Sequence, residues 1–165
     1  MTKVKIKLNG GIMPKKATEG AAAYDLYAPE DVVIKNGRQI IDLKFSIELP
    51  QGYAATIQPR SGFSAKGIEV TKMFIDGSFS ADAESGVRVN GDVVRGLVDA
   101  DYRGNVGVIL KATIKSHPYE KMVIKKGTRI AQMQIVEVPQ IELVEVDELS
   151  DTDRGEGGFG STGIK

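Results

Sequence analysis

The sequence contains no cysteine and no tryptophan, and His117 is its single histidine. Without cysteine the chain can form neither disulfides nor cysteine-ligated metal sites, and one histidine excludes a multi-histidine metal site and argues against a histidine-based catalytic triad. Neither sign of charge is in excess, since 22 basic residues accompany 22 acidic ones. This balance argues against binding to a nucleic-acid polymer, which needs a basic surface.

Long apolar runs are also missing. No stretch approaches the roughly 18 residues of a membrane-spanning helix, and the lysine-rich beginning of the chain lacks the apolar region of a secretory signal. We therefore expect no membrane association and a cytoplasmic location, or an intracellular one in a host if the source is viral. The 165 residues suffice for one domain with a hydrophobic core.

Alternation of apolar and polar residues with a period of two dominates the chain and predicts β-strands. The pattern is clearest at 4–8, 41–49, 106–114 and 131–135, and shorter runs stand at 32–34, 53–58, 122–124 and 141–146. Glycine-containing turn signals separate them, at 36–37, 50–52, 76–77, 90–91 and 126–127. Many short strands at near-regular spacing indicate an all-β barrel or sandwich.

One short helix and one unstructured arm complete the prediction. Residues 61–66 resemble a helix start with Ser61 as a candidate N-cap, and Gly67 limits the helix to one or two turns. Five of the nine residues at 155–163 are glycine, which loses much conformational entropy on ordering. We therefore separate a compact domain at 1–149 from a flexible arm at 150–165.

The arm carries groups that suit a nucleotide. Arg154 and the hydroxyls of Ser161 and Thr162 suit phosphate oxygens, and the ring of Phe159 suits the face of a base. Its glycine spacing formally matches a dinucleotide-binding fingerprint, but no helix can follow in the few remaining residues. The alternative is a tail without function.

Two further segments carry groups that could bind phosphate. Residues 59–62 place Arg60 and Ser61 at the start of the predicted helix, where unpaired N–H groups favour an anion; the alternative is a simple N-cap. The amide of Gln132 can hydrogen-bond a phosphate, and its alternative is an ordinary cross-strand contact.

Two carboxylates are candidates for chemistry. Asp99 follows an apolar pair in the segment 96–104 and could act as a general base beside a pocket. Tyr102 in the same segment could lie against a sugar. The alternative is a charged hairpin without a catalytic role. Asp25 stands among apolar residues and suits a hydrated Mg²⁺, with an exposed strand residue as the alternative.

Together these segments resemble the trimeric deoxyuridine triphosphatase (dUTPase) family, whose five motifs appear in order. They are Ala-Tyr-Asp-Leu-Tyr-Ala at 23–28, Pro-Arg-Ser-Gly at 59–62, Gly-Leu-Val-Asp-Ala-Asp-Tyr-Arg-Gly at 96–104, Gly-Thr-Arg-Ile-Ala-Gln at 127–132 and Arg-Gly-Glu-Gly-Gly-Phe-Gly-Ser-Thr-Gly at 154–163. The resemblance implies a distorted, jelly-roll-like β-barrel homotrimer with active sites shared between subunits. It implies hydrolysis of dUTP to dUMP and pyrophosphate, which keeps uracil out of DNA and supplies dUMP for thymidylate synthesis.

The resemblance also implies roles for particular residues. Asp99 would activate the water that attacks the α-phosphorus, and Tyr102 would pack under deoxyribose. The backbone of Gly96, Leu97 and Val98 would read the uracil edge. The groups expected to hold phosphates or assist the reaction are Arg60, Ser61, Gly62 and Gln132, and those expected from the arm are Arg154, Phe159, Gly160, Ser161 and Thr162. Mg²⁺ would bridge the triphosphate, with Asp25 acting through water.

The sequence departs from the family at two places. Thr128 stands where the family usually carries aspartate. Ser61 and Asp99 are 38 positions apart, a longer spacing than the family's, because of an extra segment at 71–92. We expect this segment to form a β-excursion on the surface, either passive or extending the trimer contact or binding a partner. Besides dUTP hydrolysis, the alternatives are dCTP deamination on the same fold and a nucleotide-sensing binding protein.

Overall fold

A computed structural model of the chain describes residues 2–74, 76, 86–114 and 119–157. Within them the chain forms strands and one six-residue helix, α1 (Ser61–Lys66). The strands are β1 (Lys5–Leu8), β2 (Lys15–Lys16), β3 (Tyr24–Tyr27), β4 (Val32–Val33), β5 (Gly37–Glu48), β6 (Tyr53–Gln58), β7 (Ile68–Phe74), β8 (Val87–Val94), β9 (Gly96–Val98), β10 (Asn105–Thr113), β11 (Glu120–Ile124) and β12 (Arg129–Glu137).

Two sheets enclose the core, and every strand pairing is antiparallel. One sheet has the order β1-β5-β10-β8-β7-β11-β4 and the other the order β2-β3-β12-β6-β9. Alternate side chains of β5 point inward, so that Leu43, Phe45 and Ile47 are almost fully buried, as a period-two pattern requires. The predicted all-β class is confirmed, and the sheets curl in the manner of a jelly roll.

Seven of the eight predicted strand runs are present, and the run at 141–146 is not. Residues 138–150 contain no strand or helix, and Leu143 is 94% exposed. Among the described residues, no strand pairs with this apolar alternation. Without a partner strand its main-chain groups make no sheet hydrogen bonds, and its apolar side chains are exposed.

The described ends of the extra segment are strands, as expected, and belong to β7 and β8, which pair with each other inside the seven-stranded sheet. Residues 77–85, where most of the expected β-excursion falls, lie outside the described residues. The predicted turn at Asn90-Gly91 is wrong, because both residues lie within β8. A Cβ on Gly91 would stand 2.4 Å from the carbonyl oxygen of Lys111 on β10, so glycine allows the two strands to approach.

The helix agrees with the prediction except at its cap. Arg60 is the N-cap residue and makes no side-chain cap hydrogen bond, so Ser61 is not the cap that the sequence suggested. Gly67 ends the helix with φ of 77°, a conformation that glycine adopts without strain. No helix in the described part of the chain has the length and apolar character to cross a membrane.

Candidate active site

The nucleoside half of the predicted site forms around β9. This short strand pairs with β6, Val98 opposite Ala55 and Gly96 opposite Ile57, and so holds the backbone of 96–98 at the edge of the five-stranded sheet. Beside it lies a cavity of about 200 Å³ whose lining includes Gly96, Leu97, Val98, Asp99 and Tyr102. The structure therefore brings together the residues predicted for the base, the sugar and the attacking water.

The hairpin after β9 is stabilised by hydrogen bonds to its own main-chain carbonyl groups. The N–H of Tyr102 donates to the carbonyl of Asp99 at 3.2 Å, and Arg103 Nη1 donates to the carbonyls of Ala100 and Tyr102 at 2.6 and 2.9 Å. These contacts satisfy carbonyl groups that a tight turn otherwise leaves to water. Arg103 therefore shapes the hairpin, and no ion pair to Asp99 of the kind expected for a simple charged hairpin is present among the described contacts.

The ring of Tyr102 lies over Gly104. A Cβ built on Gly104 would stand 2.3 Å from the phenolic oxygen, so only glycine leaves room for the ring. The hydroxyl donates to the main-chain carbonyl of Asn105 at 3.1 Å, which fixes the other end of the side chain. The position of Tyr102 thus depends on two residues to which the sequence analysis gave no role.

Asp99 is exposed at the start of this hairpin, and no donor among the described residues reaches its carboxylate. Both oxygens of this carboxylate are therefore open to hydrogen bonds from water. Its place beside the cavity is compatible with the general-base role expected from the sequence.

The phosphate half of the predicted site forms where β3, β6 and β12 lie side by side. Gln132 on β12 is paired with Asp25 on β3 and with Gln58 on β6. These strands and the start of α1 enclose a cavity of about 270 Å³, lined by Asp25, Arg60, Ser61 and Gln132 among others. Gln132 Nε2 donates to the carbonyl of Pro59 at 3.0 Å and so ties β12 to the loop that carries Arg60.

Asp25 is the single charged residue in the described core, with 7% of its surface exposed. Arg60 Nε donates to one carboxylate oxygen at 2.8 Å, and Arg129 Nη1 donates to the other at 3.4 Å. A buried charge needs such partners to offset its desolvation. The expectation of an exposed strand residue is therefore wrong, and Arg129 is a site residue that the sequence analysis missed.

This environment limits how a metal ion can be held. Both oxygens of Asp25 already accept from arginine, and no group of three potential ligands occurs among the described residues. A cation bound directly to Asp25 would face two guanidinium groups. Asp25 could therefore take part in holding Mg²⁺ only through an intervening water.

The two halves occupy separate cavities with no residue in common. Arg154 is exposed, its Nε donates to the carbonyl of Gly157 at 2.8 Å, and it is not among the residues that line either cavity. The remaining arm residues, Phe159, Gly160, Ser161 and Thr162, lie outside the described residues, as does His117. Within the described residues, the nucleoside half and the phosphate half therefore remain separate.

The turn before β12 tolerates Thr128 without distortion. The N–H of Ala28 donates to the carbonyl of Thr128 at 2.9 Å, and the N–H of Gly127 donates to the carbonyl of Ala28 at 2.9 Å. Gly127 has φ of 82°, so the turn depends on glycine and on main-chain contacts. The departure from the family at this position leaves the local structure intact.

Comparison with known proteins agrees with this geometry. The dUTPase family model matches residues 9–89 and 80–163, in two pieces that overlap within the extra segment. The deoxyuridine 5'-triphosphate nucleotidohydrolase of Nautilia profundicola is 42% identical over 165 residues, covering 98% of this chain and 99% of that protein. The protein of the same name from Paramecium bursaria Chlorella virus 1 is 37% identical over 163 residues, with 98% and 96% covered.

Solved structures of dUTPases share the fold of this chain. The Staphylococcus bacteriophage 80alpha dUTPase with dUPNHPP superposes with a TM-score of 0.76 at 25% identity, covering 99% of this chain and 100% of that chain. The dUTPase of phage phi11 of S. aureus, described with a structural Mg(II) ion, has a TM-score of 0.69 at 22% identity over 89% of this chain and 98% of that one.

Proposed function

The chain belongs to the dUTPase family, and on this premise we propose that it hydrolyses dUTP to dUMP and pyrophosphate by attack of water on the α-phosphorus. The observation that carries the proposal is the exposed, uncommitted carboxylate of Asp99 beside the cavity bordered by Gly96–Val98. The reaction keeps uracil out of DNA and supplies dUMP. We further propose that the enzyme acts where its nucleotide substrate is found, in the cytoplasm or, if the source is viral, within a host cell.

The nucleoside half would select and orient the substrate. The main-chain groups of Gly96, Leu97 and Val98 would hydrogen-bond the uracil edge, and the ring of Tyr102 would lie under deoxyribose. Asp99 would accept a proton from the attacking water. Because a close-fitting backbone rejects an added methyl or a changed hydrogen-bonding group, this half would discriminate against dTTP and dCTP.

The phosphate half would neutralise the triphosphate. Arg60, Ser61, Gly62 and Gln132 would hold phosphate oxygens, with Asp25 keeping the guanidinium of Arg60 in place. A Cβ on Gly62 would meet nothing within 4 Å, so the chain's own packing does not require glycine there, and an approaching phosphate supplies a reason for it. Mg²⁺, when bound, would neutralise charge on the phosphates, and Asp25 would hold one of its waters.

We propose that the active enzyme is a homotrimer. The two halves of the site lie in separate cavities of one chain, so the nucleoside half of one subunit would meet the phosphate half of another. The arm at 150–165 would close over a site formed by its neighbours. Arg154, Ser161 and Thr162 would bind the β- and γ-phosphates. Phe159 would stack on uracil, and Gly160 would let the arm backbone approach the substrate closely.

A second function is proposed for the extra segment at 71–92, which would bind a regulatory partner. The phage 80alpha dUTPase, described as controlling transfer of virulence genes, matches 99% of this chain, a length that includes the segment. Since β7 and β8 are sheet strands, the test replaces only residues 77–85 by a short linker and compares capture of a purified candidate partner. Unchanged capture would reject this function.

The main proposal is tested by pyrophosphate release from dUTP, dCTP, dTTP and UTP in the presence of Mg²⁺. We expect release from dUTP and little from the other three. Deamination of dCTP would support the related deaminase, and tight dUTP binding without turnover would support a nucleotide sensor.

A further inference from the structure

Asn105, the first residue of β10, is held by side chains from two distant parts of the sequence. Its Oδ1 accepts from Asn9 Nδ2 at 2.8 Å and from Ser46 Oγ at 3.2 Å, and its Nδ2 donates to Asp42 Oδ2 at 3.1 Å. We call these four residues the Asn105 network. The amide thus has a partner at both ends, which fixes its orientation.

The network coincides with an irregularity in β5. Asn105 is paired with Ser46 and Gly107 with Asp42, so two positions along β10 correspond to four along β5. Lys44, inside this bulge, has φ of 54° and is the one non-glycine residue with positive φ in the described chain. Asp42 Oδ1 accepts from the N–H of Lys44 at 2.8 Å and so stabilises the strained turn.

Asn105 also holds Tyr102, whose side chain lines the nucleoside cavity. The hydroxyl of Tyr102 donates to the main-chain carbonyl of Asn105, while the Asn105 side chain belongs to the network. A displacement of Asn105 would therefore be transmitted to Tyr102 through one hydrogen bond. Asn105 itself also lines the cavity.

We propose that Asn105 is a positioning residue for sugar discrimination. The bulge and the network hold its carbonyl, the carbonyl holds the Tyr102 hydroxyl, and the ring then stays close enough to deoxyribose to exclude a 2′-hydroxyl. This inference rests on the proposed function, because it assigns the network to the recognition of dUTP over UTP. Bulges often direct side chains beside active sites, which is the use assigned to this one.

The test compares kcat/KM for dUTP and UTP, by pyrophosphate release, in the wild type and in Asn105→Ala. We expect the preference for dUTP to fall by about tenfold, the change that ~1.4 kcal/mol makes in a ratio of rate constants. Asn90→Ala is the matched control, because Asn90 is an exposed strand residue with no hydrogen-bonded side chain among the described contacts. Its preference should remain that of the wild type.

Two further variants separate positioning from simple stability. Asp42→Asn combined with Asn105→Asp exchanges donor and acceptor and should restore the dUTP preference that Asn105→Ala loses. Tyr102→Phe removes the transmitting hydroxyl, so its effect on the preference should not add to that of Asn105→Ala. Thermal unfolding of each variant identifies any chain that fails to fold.

The outcomes are distinct. If the wild type prefers dUTP and Asn105→Ala lowers both rates equally, the network is merely structural and this inference fails while the proposed function stands. The same conclusion follows if the exchanged pair folds and does not restore the preference. If the wild type hydrolyses neither nucleotide, the proposed function fails and the inference fails with it.

Discussion

Asp25 and Asp99 are carboxylates with opposite surroundings. Asp25 is buried, and its two oxygens accept hydrogen bonds from Arg60 and Arg129. Asp99 is exposed, and no donor among the described residues reaches its carboxylate. A carboxylate whose two oxygens accept from arginine positions those guanidinium groups and has less capacity left to accept a hydrogen bond from water. The residue surroundings therefore favour Asp99 over Asp25 as the proton acceptor.

Asp99→Asn tests this assignment. An amide cannot accept the proton of the attacking water, so we expect turnover to fall by about 10²- to 10⁴-fold, the usual contribution of a general base. Affinity for a non-hydrolysable dUTP analogue, measured by calorimetry, should survive. Asp101→Asn in the same hairpin is the control and should keep nearly full activity. Turnover that persists in Asp99→Asn would remove Asp99 from the mechanism.

Gly104→Ala tests the placement of Tyr102. The added Cβ would lie 2.3 Å from the Tyr102 hydroxyl oxygen, so the ring must move from its position. We expect kcat/KM for dUTP to fall about tenfold or more, since small misplacements of substrate-positioning groups are costly. Gly20→Ala is the matched control, because a Cβ at that exposed glycine meets nothing within 4 Å. Equal activity of the two variants would contradict the role given to the ring.

At the scale of elements, β8 decides how the extra segment enters the fold. It lies between β7 and β10 in the seven-stranded sheet, and it leads through Arg95 directly into β9. The segment is thereby continuous with the hairpin that forms the nucleoside cavity. A change in the packing of β8 should therefore affect both stability and the site.

Gly91→Ala tests the close approach of β8 to its neighbours. The new methyl would stand 2.4 Å from the Lys111 carbonyl oxygen and 2.5 Å from Ile68 Cδ1, so the strands must separate. We expect a loss of about 1–3 kcal/mol in the free energy of unfolding, the usual cost of overpacking. Urea unfolding at a fixed protein concentration measures it. Asn90→Ala should change stability by less than about 0.5 kcal/mol, and an equally small loss for Gly91→Ala would contradict the packing.

At the scale of the whole molecule, the segment after β12 is the feature that bears on the proposed trimer. Several large apolar side chains after β12 are 47–94% exposed: Val138, Ile141, Leu143, Val144, Val146 and Leu149. A row of exposed apolar side chains within one segment favours an interaction surface. With the two halves of the site in separate cavities, this row supports the proposed trimer.

Truncation after Leu149 tests the role of the arm. Because the apolar row remains, the truncated chain should still assemble as a trimer, which light scattering measures. Hydrolysis of dUTP should fall by orders of magnitude, since Arg154 and the glycine-rich segment are lost. A truncated chain with full activity would reject the arm as a lid, even though membership of the family stands.

Co-expression of the truncated chain with full-length Asp99→Asn tests whether the arm acts on another subunit. Each chain alone should be nearly inactive. Mixed trimers should regain activity, because an intact Asp99 from one subunit would meet an intact arm from another. The absence of any recovery in confirmed mixed trimers would show that the arm acts on its own subunit's Asp99.

The sequence by itself determined the fold class, most of the strands and the candidate site residues. Period-two burial in strands such as β5 follows from local alternation, and the motif glycines and charges are readable without coordinates. Function was accessible for the same reason, because the chemistry resides in short contiguous motifs. The arm residues beyond 157 and the shared site remain predictions.

Only the tertiary structure decided which groups those residues meet. For Asp25 the sequence left open a role towards hydrated Mg²⁺ or an exposed strand residue, and only the fold showed that it is buried, with Arg129 of β12 and Arg60 before α1 against it. Asn90-Gly91 carried a turn signal, yet pairing with Thr113 and Ala112 on β10 made these residues part of a strand. The run at 141–146 carried a strand signal and has no partner strand among the described residues. These hydrogen bonds and ion pairs join segments that are distant in sequence. A local sequence pattern can therefore suggest which residues form contacts, but it does not determine their partners.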